Sequence, residues 1–202
     1  ATATDTFTVV VANTNDAPTL ANAILDGSTA EDSSYSLDVS AMCADVDVGD
    51  TISHSLTGAP STLSVASGTI TGTPVNDDVG THTITVTCTD VAGSSVSDTY
   101  VLTVTNVNDA PTFSSTAVTA ATEDAAYSYT ATASDVDVGD TVTLAGTTIP
   151  TWMSFDATTG ALTGTPTNSE VGSHAVTITA TDVAGATATD TFTVVVANTN
   201  DA

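Results

Sequence analysis

The sequence predicts an all-β chain built as tandem antiparallel β-sandwiches, and three observations carry that prediction. Thr is the commonest residue and Val is plentiful; both are β-branched and favour strands. Strict alternation recurs: residues 82–90 read HTITVTCTD, with Ile84, Val86 and Cys88 on one face and Thr on the other. Gly, Pro and Asp punctuate these short runs at roughly 8–12-residue intervals, the spacing of an antiparallel sandwich. No segment of useful length shows the 3.6-residue period of a helix.

The elements follow in order from an internal repeat. NTNDAPT at residues 13–19 returns as NVNDAPT at 106–112 and as NTNDA at 198–202, spacings of 93 and 92. Between these landmarks AEDSSYS (30–36) matches TEDAAYS (122–128), and ADVDVGD (44–50) matches SDVDVGD (134–140). TGTP (71–74, 163–166) and TDVAG (89–93, 181–185) recur unchanged. The reading is two homologous domains, 18–105 and 112–197, joined by a linker at 106–111 and followed at 198–202 by the start of the next linker. Residues 1–17 are read as the last strand of a preceding repeat plus its linker, because they recur without change as 186–202. That period of 185 residues is expected of a window on a long array of near-identical repeats, the alternative being an engineered or otherwise defined fragment.

Within each domain the first strand runs down to Glu31 or Glu123. The second runs up through an inward-facing series, Tyr35, Leu37, Val39, Ala41 and Cys43 in the first domain, to Asp45-Val46-Asp47; its counterpart ends at Asp135-Val136-Asp137. The sixth rises to Asp90 or Asp182, and the last descends into the next Asn-x-Asn-Asp linker.

Composition narrows function. Among 202 residues there is no Lys or Arg, against 24 Asp plus Glu, for a net charge of −24. A chain without cations does not neutralise phosphates or anionic lipid heads, which excludes nucleic acid as a partner. No apolar run is long enough to span a bilayer. Carboxylates without internal counter-charges repel unless cations offset them, and calcium, a hard ion taking oxygen ligands, is the natural partner.

Two cysteines fall in one domain. Cys43 lies two residues before Asp45 and Cys88 two before Asp90, both on the inward phase, and the second domain has Ala133 and Ala180 at the matching places. Presence together and absence together favour a disulfide across the core, joining the second and sixth strands, over two buried thiols. A disulfide implies an oxidising, extracytoplasmic compartment.

The strand order brings an Asp-x-Asp pair and a lone Asp to the top of each domain beside the incoming linker, and a Glu to the bottom beside the outgoing one. Such a set of oxygens suits a calcium site; the alternative is that Asp, Asn and Gly only form turns there. His54, His82 and His174 form no metal-ligand set, no G-x-S-x-G elbow occurs, and the chain is not expected to be an enzyme. Trp152, Tyr35, Tyr127 and Tyr129 are assigned to the core.

These residues carry a resemblance. IPTWMSFDATTGALTGTPTNSEVGSHAVTITATDVAG (149–185), with the order of acidic motifs, resembles the cadherin repeat superfamily, and more closely the dystroglycan-type cadherin-like repeats of giant bacterial surface proteins. The resemblance implies Greek-key sandwiches of cadherin/Ig-like type, about seven strands each. It also implies calcium held between domains. The internal junction would use Glu31, then Asn106, Asn108, Asp109 and the Ala110 carbonyl, then Asp135, Asp137 and Asp182. The upstream junction would use Asn13, Asn15, Asp16, Asp45, Asp47 and Asp90; the downstream one Glu123, Asn198, Asn200 and Asp201. Asp77, Asp78 and Glu170 are weaker assignments, standing where cadherins carry an LDRE motif that this chain lacks. The implied function is an extracellular, cell-surface, bacterial structural repeat: a calcium-stiffened spacer, stalk or filament segment of a giant adhesin. Its partners would be neighbouring repeats of the same chain, or like chains in a filament. The alternative is a module for calcium-dependent polysaccharide binding or self-adhesion.

Overall fold

The structure is a computed structural model that describes residues 1–200. It forms two compact units, Ala1–Val107 and Asn108–Ala202. The first unit carries β1 (Thr19–Leu20), β2 (Gly27–Ala30), β3 (Tyr35–Asp38), β4 (Cys43–Ala44), β5 (Ser53–Thr57), β6 (Leu63–Ala66), β7 (Thr69–Gly72), β8 (Gly80–Thr89) and β9 (Ser95–Thr105). The second carries β10 (Thr112–Phe113), β11 (Ala120–Thr122), β12 (Tyr127–Thr130), β13 (Ala133–Ser134), β14 (Thr143–Thr148), β15 (Met153–Asp156), β16 (Ala161–Gly164), β17 (Gly172–Thr181) and β18 (Thr187–Ala197). Single 3₁₀ turns at Asn76–Asp78 and Asn168–Glu170 are the only helical elements among the described residues.

Both units have the same architecture. A four-stranded sheet, β2-β9-β8-β5 or β11-β18-β17-β14, faces a three-stranded sheet, β3-β7-β6 or β12-β16-β15; a two-stranded ladder, β1-β4 or β10-β13, lies beside them. The all-β sandwich expected from alternation and turn spacing is therefore present. It differs from that expectation in two respects. One pair in each unit is parallel, β2 with β9 and β11 with β18. The first two strands are each split, because each half pairs with a different neighbour. β1 bonds β4 before the chain crosses to β9 as β2, and β3 bonds β7 before β4 turns to β1. The step between β3 and β4 is a turn closed by Met42 N–H on the Val39 carbonyl, 3.0 Å. It shifts the inward phase, so Met42 is buried and Ala41, expected inward, is exposed.

The cores follow the alternation. Ile84, Val86 and Cys88 on β8 are buried, as are Val176, Ile178 and Ala180 on β17. Cys43 and Cys88 form the expected disulfide, closing a separation of 45 residues between β4 and β8. The second unit has Ala133 and Ala180 at the matching places, and its core contains aromatic pairs. Tyr127 meets Trp152 edge-on at 5.9 Å, and Tyr129 meets Phe192 at 5.4 Å, geometries favoured by ring quadrupoles. Tyr127 donates its hydroxyl to the Val118 carbonyl at 2.7 Å, and burial pushes its pKa up to about 12. The recurring TGTP has a steric cause. A Cβ on Gly72 would stand 2.0 Å from the Thr62 carbonyl oxygen, and one on Gly164 would stand 2.4 Å from that of Trp152.

Candidate cation sites at the ends of each unit

β4 and β8 run to the same end of the first unit, and their acidic ends meet the incoming segment there. Asn15 donates its side-chain amide to Asp90 Oδ2 at 3.0 Å, and the Asp16 N–H donates to Asp47 Oδ2 at 2.8 Å. The Asp47 N–H donates to Asp45 Oδ1 at 2.8 Å, an Asx turn that DVD forms by itself. Asp90 Oδ1 accepts the Ser94 N–H at 2.8 Å. Ligand atoms of Asp45, Asp47 and Asp50 lie within 4.8 Å of one another. A polar depression of about 260 Å³ opens over them, lined by Asn13, Asn15, Asp47 and Asp50 with Val48 and Val91.

The second unit repeats this geometry. Asn108 donates to Asp182 Oδ2 at 2.8 Å, the Asp109 N–H to Asp137 Oδ2 at 2.9 Å, and the Asp137 N–H to Asp135 Oδ1 at 3.0 Å. Ligand atoms of Asp135, Asp140 and Asp182 lie within 4.8 Å of one another. The Asn108 amide holds the Asp182 carboxyl below the usual carboxylate range, and Asn15 does the same for Asp90.

The opposite end of each unit holds a glutamate. Glu31 is 1% exposed, and its Oε1 accepts the Val107 N–H at 2.9 Å. Glu123 is 2% exposed, and its Oε1 accepts the Thr199 N–H. Each follows the same local design: the next residue, Asp32 or Asp124, adopts a left-handed φ of 57° or 58° and donates its N–H to the Pro74 or Pro166 carbonyl.

One oxygen of each of four carboxylates is buried with no hydrogen-bond partner: Glu31 Oε2, Asp45 Oδ2, Glu123 Oε2 and Asp135 Oδ2. A buried anionic oxygen without a donor is costly, and no Lys or Arg exists to meet it. The clustered carboxylates Asp45, Asp47 and Asp50, and Asp135, Asp140 and Asp182, offer hard oxygen ligands of the type that calcium takes.

The remaining residues named from sequence fall as follows. Asn13 and Asn106 are exposed, and Asn198 donates to the adjacent Thr199 carbonyl. Asn200 is exposed, and Asp201 lies outside the described residues. Asp78 and Glu170 cap their 3₁₀ turns: Asp78 Oδ2 accepts Thr62 Oγ1 at 2.6 Å and the Val75 N–H, and Glu170 Oε2 accepts Thr167 Oγ1 and N–H. Asp77 is exposed. His82 and His174 reach the carbonyls of Asp78 and Glu170, both at 2.6 Å. Sequence reasoning passed over Asp50 and Asp140, the last residues of the recurring DVDVGD. Asp50 accepts the Thr51 and Val91 N–H groups, and Asp140 accepts those of Thr141 and Val183. Their recurrence five residues after the first Asp of each motif was the available signal.

A family model described as "Putative Ig domain" matches residues 17–105 and again 110–197. The "Serine-rich adhesin for platelets" of Staphylococcus aureus is 34% identical over 144 residues, which is 70% of this chain and 6% of that protein. Its counterpart in strain MRSA252 is equally similar and is covered to 10%. The chain thus spans a small fraction of these curated relatives. Among solved structures, extracellular domains 1–5 of protocadherin gamma B2 align over 93% of this chain and 41% of that one, at 20% identity and a TM-score of 0.49. Mouse cadherin-23 EC22–24 aligns over 91% and 65%, at 21% identity and 0.49. An endo-fucoidan hydrolase of glycoside hydrolase family 107 aligns over 91% and 29%, at 24% identity and 0.43.

Proposed function

The chain belongs to the Putative Ig domain family, and from that premise we propose that it is an extracellular, non-catalytic repeat of a bacterial surface adhesin, stiffened by calcium. The observation that carries this reading is the set of buried, unpartnered carboxylate oxygens at both ends of each unit, in a chain with no Lys or Arg. Calcium would meet those oxygens, with Asp45, Asp47, Asp50 and Asp90 holding it in the first unit and Asp135, Asp137, Asp140 and Asp182 in the second. Glu31 holds the Val107 amide, while Asp182 and Asp137 hold Asn108 and the Asp109 amide. In the second unit, Asn108 and the Asp109 amide are therefore held by carboxylates that would also bind the ion. A bound cation removes their mutual repulsion and leaves the linker fewer conformations, so the array extends. Neighbouring repeats of the chain are then its first partners.

An adhesive role has support in the relatives, which are named as adhesins for platelets. For this chain that reading ranks second. Tyr127 and Tyr129 are buried and Trp152 packs against Tyr127 and His174, which leaves no aromatic platform there for a sugar.

Small-angle scattering with calcium and then with excess chelator tests the proposal. The expected outcome is a calcium-dependent rise in maximum dimension together with a higher melting temperature, both reduced by Asp137→Ala or Asp109→Ala. An identical scattering profile and melting temperature in the two buffers would leave the acidic motifs as turn-formers only.

A further inference from the structure

A mostly apolar cavity of about 310 Å³ opens in the first unit between residues 22–25 and the end of β3, where Asn22, Ile24, Leu25, Leu37, Ala41 and Met42 form much of its wall. It shares no residue with the acidic clusters. Leu25 on this wall is 82% exposed, and a ligand that covered it would remove apolar surface from water.

The second unit carries a ring at the equivalent position. Leu37 pairs with Ile70 as Tyr129 pairs with Leu162. The Asn22 N–H bonds the Met42 carbonyl as the Ser115 N–H bonds that of Thr132. Leu37 and Asn22 are therefore the counterparts of Tyr129 and Ser115. Tyr129 is 4% exposed and meets Phe192 edge-on, and its hydroxyl bonds Ser115 Oγ at 2.8 Å and Asp190 Oδ2 at 3.0 Å. It thus bridges its strand to the segment at Ser115. Leu37 has neither ring nor hydroxyl to do so, and the cavity lies between it and residues 22–25. The turn after β3 also differs. Val39 and Ala131 bond the Gly68 and Gly160 carbonyls alike, yet three residues lead from Val39 to Met42 and only one from Ala131 to Thr132. The extra residues, Ala41 among them, form part of the wall.

We propose that this cavity is a binding site for a phenolic ring carried by another molecule, the group that Tyr129 supplies from within the second unit. Ile24, Leu37 and Met42 offer apolar surface to the ring. Asn22 donates an amide hydrogen to the Ala41 carbonyl at 2.8 Å. That bond fixes the amide and leaves its carbonyl oxygen to accept the phenol O–H, the contact that Ser115 makes with Tyr129. Asp38 on the wall, in a chain of −24 charges, selects a ligand without negative charge. The phenol is either a free small molecule or the side chain of a tyrosine on a partner chain; the ring chemistry is the same.

The test is a methyl NMR titration of the full chain with p-cresol, in chelator so that the result is independent of calcium. The methyl signals of Ile24, Leu25, Leu37 and Met42 are expected to shift and to saturate at about millimolar ligand, as suits a molecule of so few heavy atoms. Those of Val176, Ile178 and Val194 in the second unit are expected to stay in place. Shifts that do not saturate, or that are equal in both units, overturn the proposal. Leu37→Tyr, which copies Tyr129, is expected to fill the cavity and weaken p-cresol by about tenfold or more. Ala41→Phe, at an exposed wall residue, blocks the cavity by a second route if the first variant folds poorly. Undiminished binding in a folded variant overturns the proposal. Asn22→Ala is expected to weaken p-cresol about fivefold through one lost hydrogen bond and to leave toluene unaffected; an equal effect on both ligands overturns the assignment to a phenol. A blocked Gly-Tyr-Gly peptide separates the two sources. Binding tighter than that of p-cresol assigns the site to a tyrosine on a chain, and weaker binding assigns it to a free phenol.

Discussion

At Glu31 and Glu123 a single atom separates two states of the molecule. Oε1 of each carboxylate is satisfied by an amide and Oε2 is not. A buried unsatisfied acceptor costs about 1–3 kcal/mol. Glu123→Gln keeps an acceptor for the Thr199 amide and removes the charge, so in chelator it should melt no lower than the parent, while in calcium its gain should be smaller. Paired thermal melts check this reversal of sign. His54 offers a second single-residue case. Its Nε2 is buried without a partner, opposite Cys88 on β8, where the second unit has Leu144 opposite Ala180. His54→Leu should stabilise the first unit by about 1 kcal/mol by removing that orphan. Asp156 shows the effect of pH. The Thr158 N–H and Thr159 hydroxyl hold its carboxyl below the usual range. A depressed native pKa gives stability that is present above the unfolded value, near 4, and is lost as pH falls through the native one. Asp156→Asn should therefore melt below the parent at neutral pH, with the gap closing as the solution is acidified below the ordinary carboxylate range. Asp45, Asp47 and Asp90 were legible in the sequence because spacing and repetition marked them. Asp50 and Asp140 recur just as regularly, but their place in the clusters was not legible, because only the fold brings the Val91 and Val183 amides back onto them.

Elements were legible where periodicity decided them. β8 and β17 alternate without interruption, and so does their burial. The outer face of β5, β8 and β9 pairs hydroxyl with hydroxyl, Ser53↔Thr89↔Ser95, Ser55↔Thr87↔Ser97 and Thr57↔Thr85↔Thr99, which puts β-branched or small polar residues on a solvated sheet without charge. The split of the first and second strands was not legible, since alternation states which face is inward and not which neighbour is bonded. The disulfide, by contrast, could be read from paired presence and absence. It closes 45 residues, and the chain-entropy model gives about 4 kcal/mol for that loop. Cys43→Ala/Cys88→Ala reproduces Ala133 and Ala180 of the second unit. It should lower the melting of the first unit by about 15–30 °C at 4–8 °C per kcal/mol, and leave the second unit's transition in place in a calorimetric scan.

For the whole molecule, charge is the governing quantity. Twenty-four acidic residues and no Lys or Arg mean that every compact state works against its own repulsion. Raising NaCl from about 0.01 to 0.5 M shortens the screening length from about 30 Å to a few Å, and should raise both melting transitions in chelator. Calcium at millimolar level should do so further than equal ionic strength supplies, since site binding adds to screening.

By itself the sequence determined the all-β class, the two-fold internal repeat, the inward faces of the long strands, the disulfide and the acidic composition of the unit ends. These are properties of local pattern: alternation, β-branching, recurrence and charge act over a few residues, or are visible by comparing one repeat with the next. Only the tertiary structure decided which strands split, that β2 and β11 lie parallel to the closing strands, that Asp50 and Asp140 join the clusters, and which oxygen of each carboxylate is left buried and alone. Those depend on contacts between residues as far apart as Glu31 and Val107 or Asp140 and Val183, where burial and hydrogen-bond geometry are set by the packed chain.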